Sequence, residues 1–437
     1  MSERRMNLTE DRVLVIGAGA AGLAAARRLH DEGQAVTVLE ARDRVGGRAH
    51  SSFDIATHPV ELGAEFVHGE NVCTWELLER FGLNAIDIHA RLNFLAYIDG
   101  RLLDQASFLR TPSAALLFKT AYAAKSWIDN GGGDLSLTAA ASQGAGFFDE
   151  DPTSEERRFW NNLTAQLQAA DLEDVGVGGI AEATHDGDGG QILFRVAEGY
   201  STLMDALASG IDVRLGSAVE RIEWSEAGVT VFCEGERFEA RQAIVTLPLA
   251  ILQEDDVAFD PPLGSEKVSA IRGLGAGPIA KIVLRFDRRF WPEGMTNLLT
   301  TLDSQGWWTP GAGRDDEAPV LTALLGGSAV RRLQALDEPA VEGLRDLERV
   351  FDMSLHDRLV EARWIDWSCD PWSKMGYSYV PPGGVGLRDV LAAPVADVLF
   401  FAGEATNAIR PASIHGAFES GYRAAREVRA VTAKAKA

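Results

Sequence analysis

Three glycines and one acid set the first chemical constraint on this chain. Gly17, Gly19 and Gly22 follow the apolar run Val13-Leu14-Val15-Ile16, and Glu40 lies 18 residues past the last of them. In Gly17-Ala18-Gly19-Ala20-Ala21-Gly22, Gly17 allows a tight turn, Gly19 lets backbone approach a pyrophosphate, and Gly22 lets helix and strand pack closely. The helix N-terminus at Ala21 then offers free N–H groups and the positive end of its dipole to phosphates. Glu40 can accept both hydroxyls of a ribose. Together these groups can capture a dinucleotide.

The elements that must position these groups read directly from the pattern. A buried strand over 13–16, an Ala- and Leu-rich helix, and a second strand over 36–39 that delivers Glu40 form one unit. Ala41-Arg42-Asp43-Arg44-Val45-Gly46-Gly47-Arg48 follows. This basic, glycine-bearing turn, with Ala41, Arg42, Gly47 and Arg48, can lay amides and guanidinium groups along a longer pyrophosphate ligand. An NAD-binding unit has no need of it.

At 437 residues the chain suggests two domains, and 46% apolar with 24% charged residues describes an ordinary globular protein. No apolar stretch approaches the roughly 20 residues that cross a bilayer. The start, MSERRMNLTEDR, has arginines but no apolar core behind them, so no export signal is expected. Cys73, Cys233 and Cys369 lie far apart, which suggests neither a disulfide framework nor a metal site and points to a reducing, cytoplasmic compartment. A net charge of −22 argues against nucleic acid as a partner. Between 149 and 190, eleven acids face only Arg157 and Arg158. A solvated face explains most of them, and a minority could ring a substrate mouth.

Helical periodicity spans 113–128, 155–170 and 336–351, and returns from about 413 to 428. Strand patterns cover 213–215, 216–224, 229–232, 243–247, 280–286 and 398–401. Over 279–286 the alternation puts Lys281, Val283 and Arg285 on one face.

Four further blocks carry a resemblance: VELGAEFVHG at 60–69, FDPPLGSEKVSAIRGLGAGPIAKIVLRFDRRFWP, WSCDPWSKMGYSYVPPG, and FFAGEATNAIRPASIHGAFESGYRAARE. With the glycine unit, they resemble the FAD-dependent amine oxidase superfamily of monoamine oxidases, polyamine oxidases, lysine-specific histone demethylases and L-amino acid oxidases. The resemblance implies an α/β fold with a Rossmann-type FAD-binding domain of three pieces (1–72, 190–280 and 375–437). An α+β substrate-binding domain with a mixed sheet and helices would occupy 73–189 and 281–374.

By that resemblance Glu40 binds the adenosine ribose, Arg48 and Gly17 to Gly22 serve the pyrophosphate, and the Val219 backbone meets the adenine. Gly63, Ala64 and Glu65 belong to a second flavin-contacting stretch. Gly403 and Glu404 lie by the ribityl chain, and the Ile414 backbone meets the pyrimidine end of the flavin. Lys281 corresponds to a lysine that holds a water against flavin N5, and His68 to a histidine beside the substrate amine. Tyr377 matches an aromatic ring flanking the substrate nitrogen, with Trp367 and Trp372 on the same wall.

Two departures are informative. Monoamine oxidases carry a flavin-linking cysteine where this chain has Lys374-Met375-Gly376, so non-covalent FAD is expected. Their second cage aromatic falls on Ser413, which disfavours small aromatic monoamines. Glu65 would repel a carboxylate and welcome a second ammonium. The expected activity is therefore oxidation of a C–N bond of a primary or secondary amine, a polyamine or related cationic amine favoured, with O₂ reduced to H₂O₂, by a monomer or homodimer. The alternatives are a bacterial monoamine oxidase and a demethylase-like flavoprotein used as a binding or regulatory module.

Overall fold

The computed structural model describes residues 12–183 and 192–436. The opening segment 1–11, and with it the reading of the start as no export signal, lies outside the described residues, as do Asp186 and Asp188 of the acidic segment. Among the described residues no helix is long and apolar enough to cross a membrane.

The two strands read from the glycine unit, Val13–Ile16 and Val36–Leu39, pair in parallel, Val13 opposite Val36. Gln242–Val245 adds on the other side of the first strand and Leu399–Phe401 beyond it, while Asp212–Arg214 closes the far edge, giving a five-stranded parallel sheet. Both faces are covered, which is why these strands read as unbroken apolar runs. Val13 and Val15 pack under helices Ala20–Asp31, Tyr200–Ala208 and Ile414–Lys436. Leu14 and Ile16 point the opposite way, onto the strands Val219–Ser225, Gly228–Cys233 and Glu236–Ala240. The last helix is longer than its periodicity suggested, continuing to Lys436.

A second, mixed sheet of seven strands runs in the order 359–366, 279–286, 320–326, 306–308, 297–300, 94–98, 101–104. The strand Ile279–Phe286 lies between two antiparallel neighbours, with Lys281 opposite Leu324 and Ile365. Alternation divides its side chains: Ala280, Ile282, Leu284 and Phe286 join the core beneath helix Pro339–Phe351, whereas Lys281 faces forward.

The helix Ser154–Gln168 begins at a capping box in which the Thr153 hydroxyl accepts from the Glu156 N–H and the Glu156 carboxylate accepts from the Thr153 N–H. Two acids of the acidic segment, Glu155 and Glu156, thus occupy a helix first turn, where the dipole favours them. The α/β architecture, with a Rossmann-type layer and a mixed sheet, is the fold expected. The hairpin Phe94–Ile98 and Arg101–Asp104 lies in a stretch that otherwise reads as helical.

The first and last helices of the parallel layer meet closely: a Cβ on Gly421 would lie 2.2 Å from the Ala21 carbonyl oxygen. Gly421→Ala should therefore overpack this contact and cost about 1–3 kcal/mol in urea unfolding. An unchanged midpoint would mean that the two helices separate freely.

Candidate active site

A cavity of about 850 Å³ runs from the glycine turn to the front of the mixed sheet. At one end lie Gly17, Gly19, Ala21, Glu40, Ala41, Arg42 and Val219. A Cβ on Gly17 would sit 2.7 Å from the Thr246 hydroxyl and one on Gly22 1.9 Å from the Gly17 carbonyl oxygen. Gly17 also adopts φ 101°, which a residue with a side chain rarely does. Gly22 does not line the cavity; its place is the tight strand–helix contact. Gly19 precedes the helix Ala20–Asp31 without a side-chain cap, leaving the first N–H groups of that helix to a ligand.

Glu40 follows the second strand and is buried. Its two oxygens accept from the Ala18 N–H at 2.7 Å and the Arg42 N–H at 3.0 Å. Burial raises its carboxyl above the ordinary value while those two amides oppose the rise. Each oxygen keeps a lone pair, so a ribose diol can still bind there. Arg42 forms a two-pronged pair with Asp370 at 2.7 and 2.6 Å, and its guanidinium lies 6.0 Å from the centre of the Trp367 ring. The Trp367 indole donates to the Leu62 carbonyl at 3.0 Å and is buried, whereas Trp372 is 42% exposed at the cavity rim.

Midway, Gly47, Arg48, Gly63, Ala64, Gly403 and Glu404 line the cavity. Arg48 donates to the Gly376 carbonyl and pairs with Glu404 at 3.2 Å. The Glu404 carboxylate also accepts from the Ser378 hydroxyl at 2.6 Å and the Ala412 N–H at 3.1 Å, and buried Arg388 donates to the same hydroxyl at 2.7 Å. Ser413 then caps the last helix, its hydroxyl accepting from the Gly416 N–H at 3.1 Å. Ser413 and Ile414 thereby bring a helix N-terminus to the cavity wall.

At the far end stand Glu65, Phe66, His68, Lys281, Trp308, Leu324 and Tyr377. Lys281 is 2% exposed, and its ammonium donates to Glu65 Oε2 and to the Glu61 carbonyl, each at 2.9 Å. Glu65 Oε1 accepts from Arg195 Nε at 2.8 Å and from the Trp308 indole at 2.9 Å. Burial alone would raise the Glu65 carboxyl, but Lys281 and Arg195 outweigh it and hold it below the ordinary range. The expectation that Glu65 welcomes a second substrate ammonium is thus overturned: its charge is taken by two cations of the chain.

Lys281 sits 5.2 Å from the centre of the Trp308 ring. The Tyr377 hydroxyl donates to the Gln166 carbonyl, with burial raising its phenol above the ordinary value. The His68 ring lies 6.1 Å from that of His415, whose imidazole burial holds at about 3 and therefore neutral. Of segment 149–190 only Gln166 and Leu167 line the cavity among the described residues. Several of the acids described there cap helices or hold side chains, as Glu156 does at its helix start and Asp171 does for Asn161 at 2.9 Å.

Arg195, Trp308, Glu61 and His415 were not singled out in the sequence. Gly306-Trp307-Trp308 carried a usable signal, because strand alternation must bury one indole behind the sheet and send the other forward. Arg195 carried none, since only the pairing of Phe66 with Arg195 across two distant strands brings it to Glu65.

Burial pushes the Glu61 carboxyl up to about 7, against hydrogen bonds from the Tyr200 N–H and the Ser51 hydroxyl. Its folded value exceeds the unfolded value of about 4.3. Its contribution to stability is therefore present below the unfolded value and lost as pH rises through about 7. Urea unfolding at pH 5 and pH 8 should show a smaller loss of stability with rising pH for Glu61→Gln than for the natural protein. Equal losses would remove Glu61 as the source.

Comparison with known proteins matches residues 20–429 to the family described as flavin containing amine oxidoreductase. The lysine-specific histone demethylase 1B of Mus musculus is 31% identical over 96% of this chain and 53% of its own. The chain thus spans about half the length of that relative. Polyamine oxidase 2 of Arabidopsis thaliana is 30% identical over 97% of this chain and 89% of its own. Among solved structures, the cyclohexylamine oxidase of Brevibacterium oxydans superposes with a TM-score of 0.80 at 24% identity, covering 97% of this chain and 100% of its own. A putrescine oxidase bound to putrescine superposes at 0.82 with 20% identity, again over 97% and 100%.

Proposed function

Because this chain belongs to the flavin containing amine oxidoreductase family, we propose that it is an FAD-dependent amine oxidase whose reaction takes place beside Lys281. The observation that carries this reading is the single cavity joining a dinucleotide cradle to a buried ammonium. Gly17 and Gly19 would take the pyrophosphate, Glu40 the adenosine ribose, Val219 the adenine, and Arg48 with Glu404 the middle of the cofactor. The N-terminus of the last helix at Ile414 would face the flavin ring system, where its positive dipole end favours negative charge.

We assign the cofactor domain to 1–72, 190–280 and 375–437 and the substrate domain to 73–189 and 281–374. When bound, FAD supplies the two-electron oxidation of the amine and passes the electrons to O₂. In balance, amine, O₂ and water give a carbonyl compound, ammonia or a smaller amine, and H₂O₂.

The chain's own part is orientation and exclusion of water. Tyr377 and Trp308 offer ring faces to an amine, and His68 stands at the same end. Phe66, Leu193, Leu299 and Leu324 add an apolar wall suited to a neutral nitrogen with a hydrocarbon body. Similarity to polyamine and putrescine oxidases supports a polyamine or related cationic amine. A monoamine is the second reading, favoured by the occupation of Glu65 and by the apolar wall.

Non-covalent attachment is supported by two facts. Cys73, Cys233 and Cys369 are all absent from the cavity lining, and a Cβ on Gly376 would lie 2.3 Å from Ile279 Cβ, leaving no room for a linking side chain. Three unpaired thiols suit a cytoplasmic setting.

Purified protein should be yellow, and acid precipitation should leave the flavin in solution; colour retained in the pellet would rule out non-covalent attachment. Peroxide release across polyamines, diamines, and alicyclic and aromatic monoamines should find a substrate. Flavin-loaded protein inert to all of them would overturn the assignment. Lys281→Met should slow turnover roughly tenfold or more, the scale for a charge lost beside the reacting atoms, while natural kinetics would remove Lys281 from the reaction.

A further inference from the structure

We propose that Glu65 is a positioning residue for the return of electrons to O₂: one carboxylate sets the Lys281 ammonium and the Trp308 indole into the cavity wall, anchored from behind by Arg195. The proposal rests on the amine oxidase reading of this cavity. A lysine carries its charge on a flexible four-carbon stem, and strand geometry alone does not fix where the charge sits. Here two acceptors at 2.9 Å do so, the Glu65 carboxylate and the Glu61 carbonyl.

The other carboxylate oxygen takes the Trp308 indole at 2.9 Å and Arg195 at 2.8 Å. One anion therefore ties the 60–69 segment to three strands, at 193–196, 279–286 and 306–308. Paired in this way, the Lys281 ammonium is held at one place in the cavity wall, where two electrons and two protons pass to O₂ to give H₂O₂. A preorganised charge of this kind acts without reorganisation at the moment of reaction.

Glu65→Gln tests the contact selectively. The amide oxygen can still accept from Arg195 and Trp308, but the amide NH₂ faces the ammonium as a second donor. Flavin reduced with dithionite and then mixed with O₂ should reoxidise roughly tenfold or more slowly, the scale on which misplaced groups act. Lys281→Met should be slowed equally, and the double variant no further than Lys281→Met alone. Reoxidation of Glu65→Gln at the natural rate with full flavin content, or multiplied losses in the double variant, would overturn the proposal.

Should Glu65→Gln fail to fold, crystals of the natural holoenzyme decide. The Lys281 ammonium should stay within hydrogen-bond distance of Glu65 in the oxidised and the dithionite-reduced states, and its departure in either refutes the assignment. No amine enters either experiment, so a failed amine screen leaves this result readable.

Discussion

A charge buried away from water must be matched, and the centre of this molecule is organised around that requirement. Lys281 and Arg195 are both buried and share the carboxylate of Glu65. Breaking such a pair by removing one partner costs about 3–5 kcal/mol, because the other charge is left stranded. Lys281 and Arg195 come from two different strands and Glu65 directly precedes the short strand Phe66–His68, so the cluster ties that segment to the mixed sheet and to the strand Leu193–Val196. An apolar replacement of similar volume could fill the same space. It could not offer the cavity a positive charge, and this is the chemical reason to accept a buried ion cluster where packing would serve for stability.

A second polar network does the corresponding work at mid-cavity. Arg388, Ser378, Glu404 and Arg48 form a continuous chain of donors and acceptors from the protein interior to the cavity surface. Its far branch, from Glu404 to the Ala412 N–H, orients the turn before the last helix. Ala412 itself has φ 56°, an uncommon conformation for alanine that such a hydrogen bond helps to hold. The helix N-terminus at Ile414 is thus aimed by the same carboxylate that pairs with Arg48.

Much of this was legible in the residues. The glycine unit reads as strand, turn, helix and strand because both faces of a parallel sheet are buried and leave uninterrupted apolar runs. Those positions expected to meet a cofactor lie along one cavity, apart from Gly22, whose closeness to Gly17 is a packing matter. Local sequence falls short where non-local pairing decides. Glu65 looked like an acid open to substrate, since nothing local announces that Arg195, 130 residues away, and Lys281 will consume its charge. The hairpin at 94–104, by contrast, does carry a local signal. Its Asp99-Gly100 turn, with φ values of 51° and 70°, is a strong two-residue hairpin signal set within otherwise helix-like sequence.

The threading of the parallel layer bears on how the molecule is made. The edge strand Leu399–Phe401 and the turn at Glu404 are made long after Gly17 and Glu40, yet they finish the same cavity wall. A nascent chain can form its first strand–helix–strand unit early. It cannot complete the cavity until the strand Leu399–Phe401 has emerged and inserted beside Gln242–Val245. Completion of the cavity is consequently coupled to the docking of the closing strand and helix.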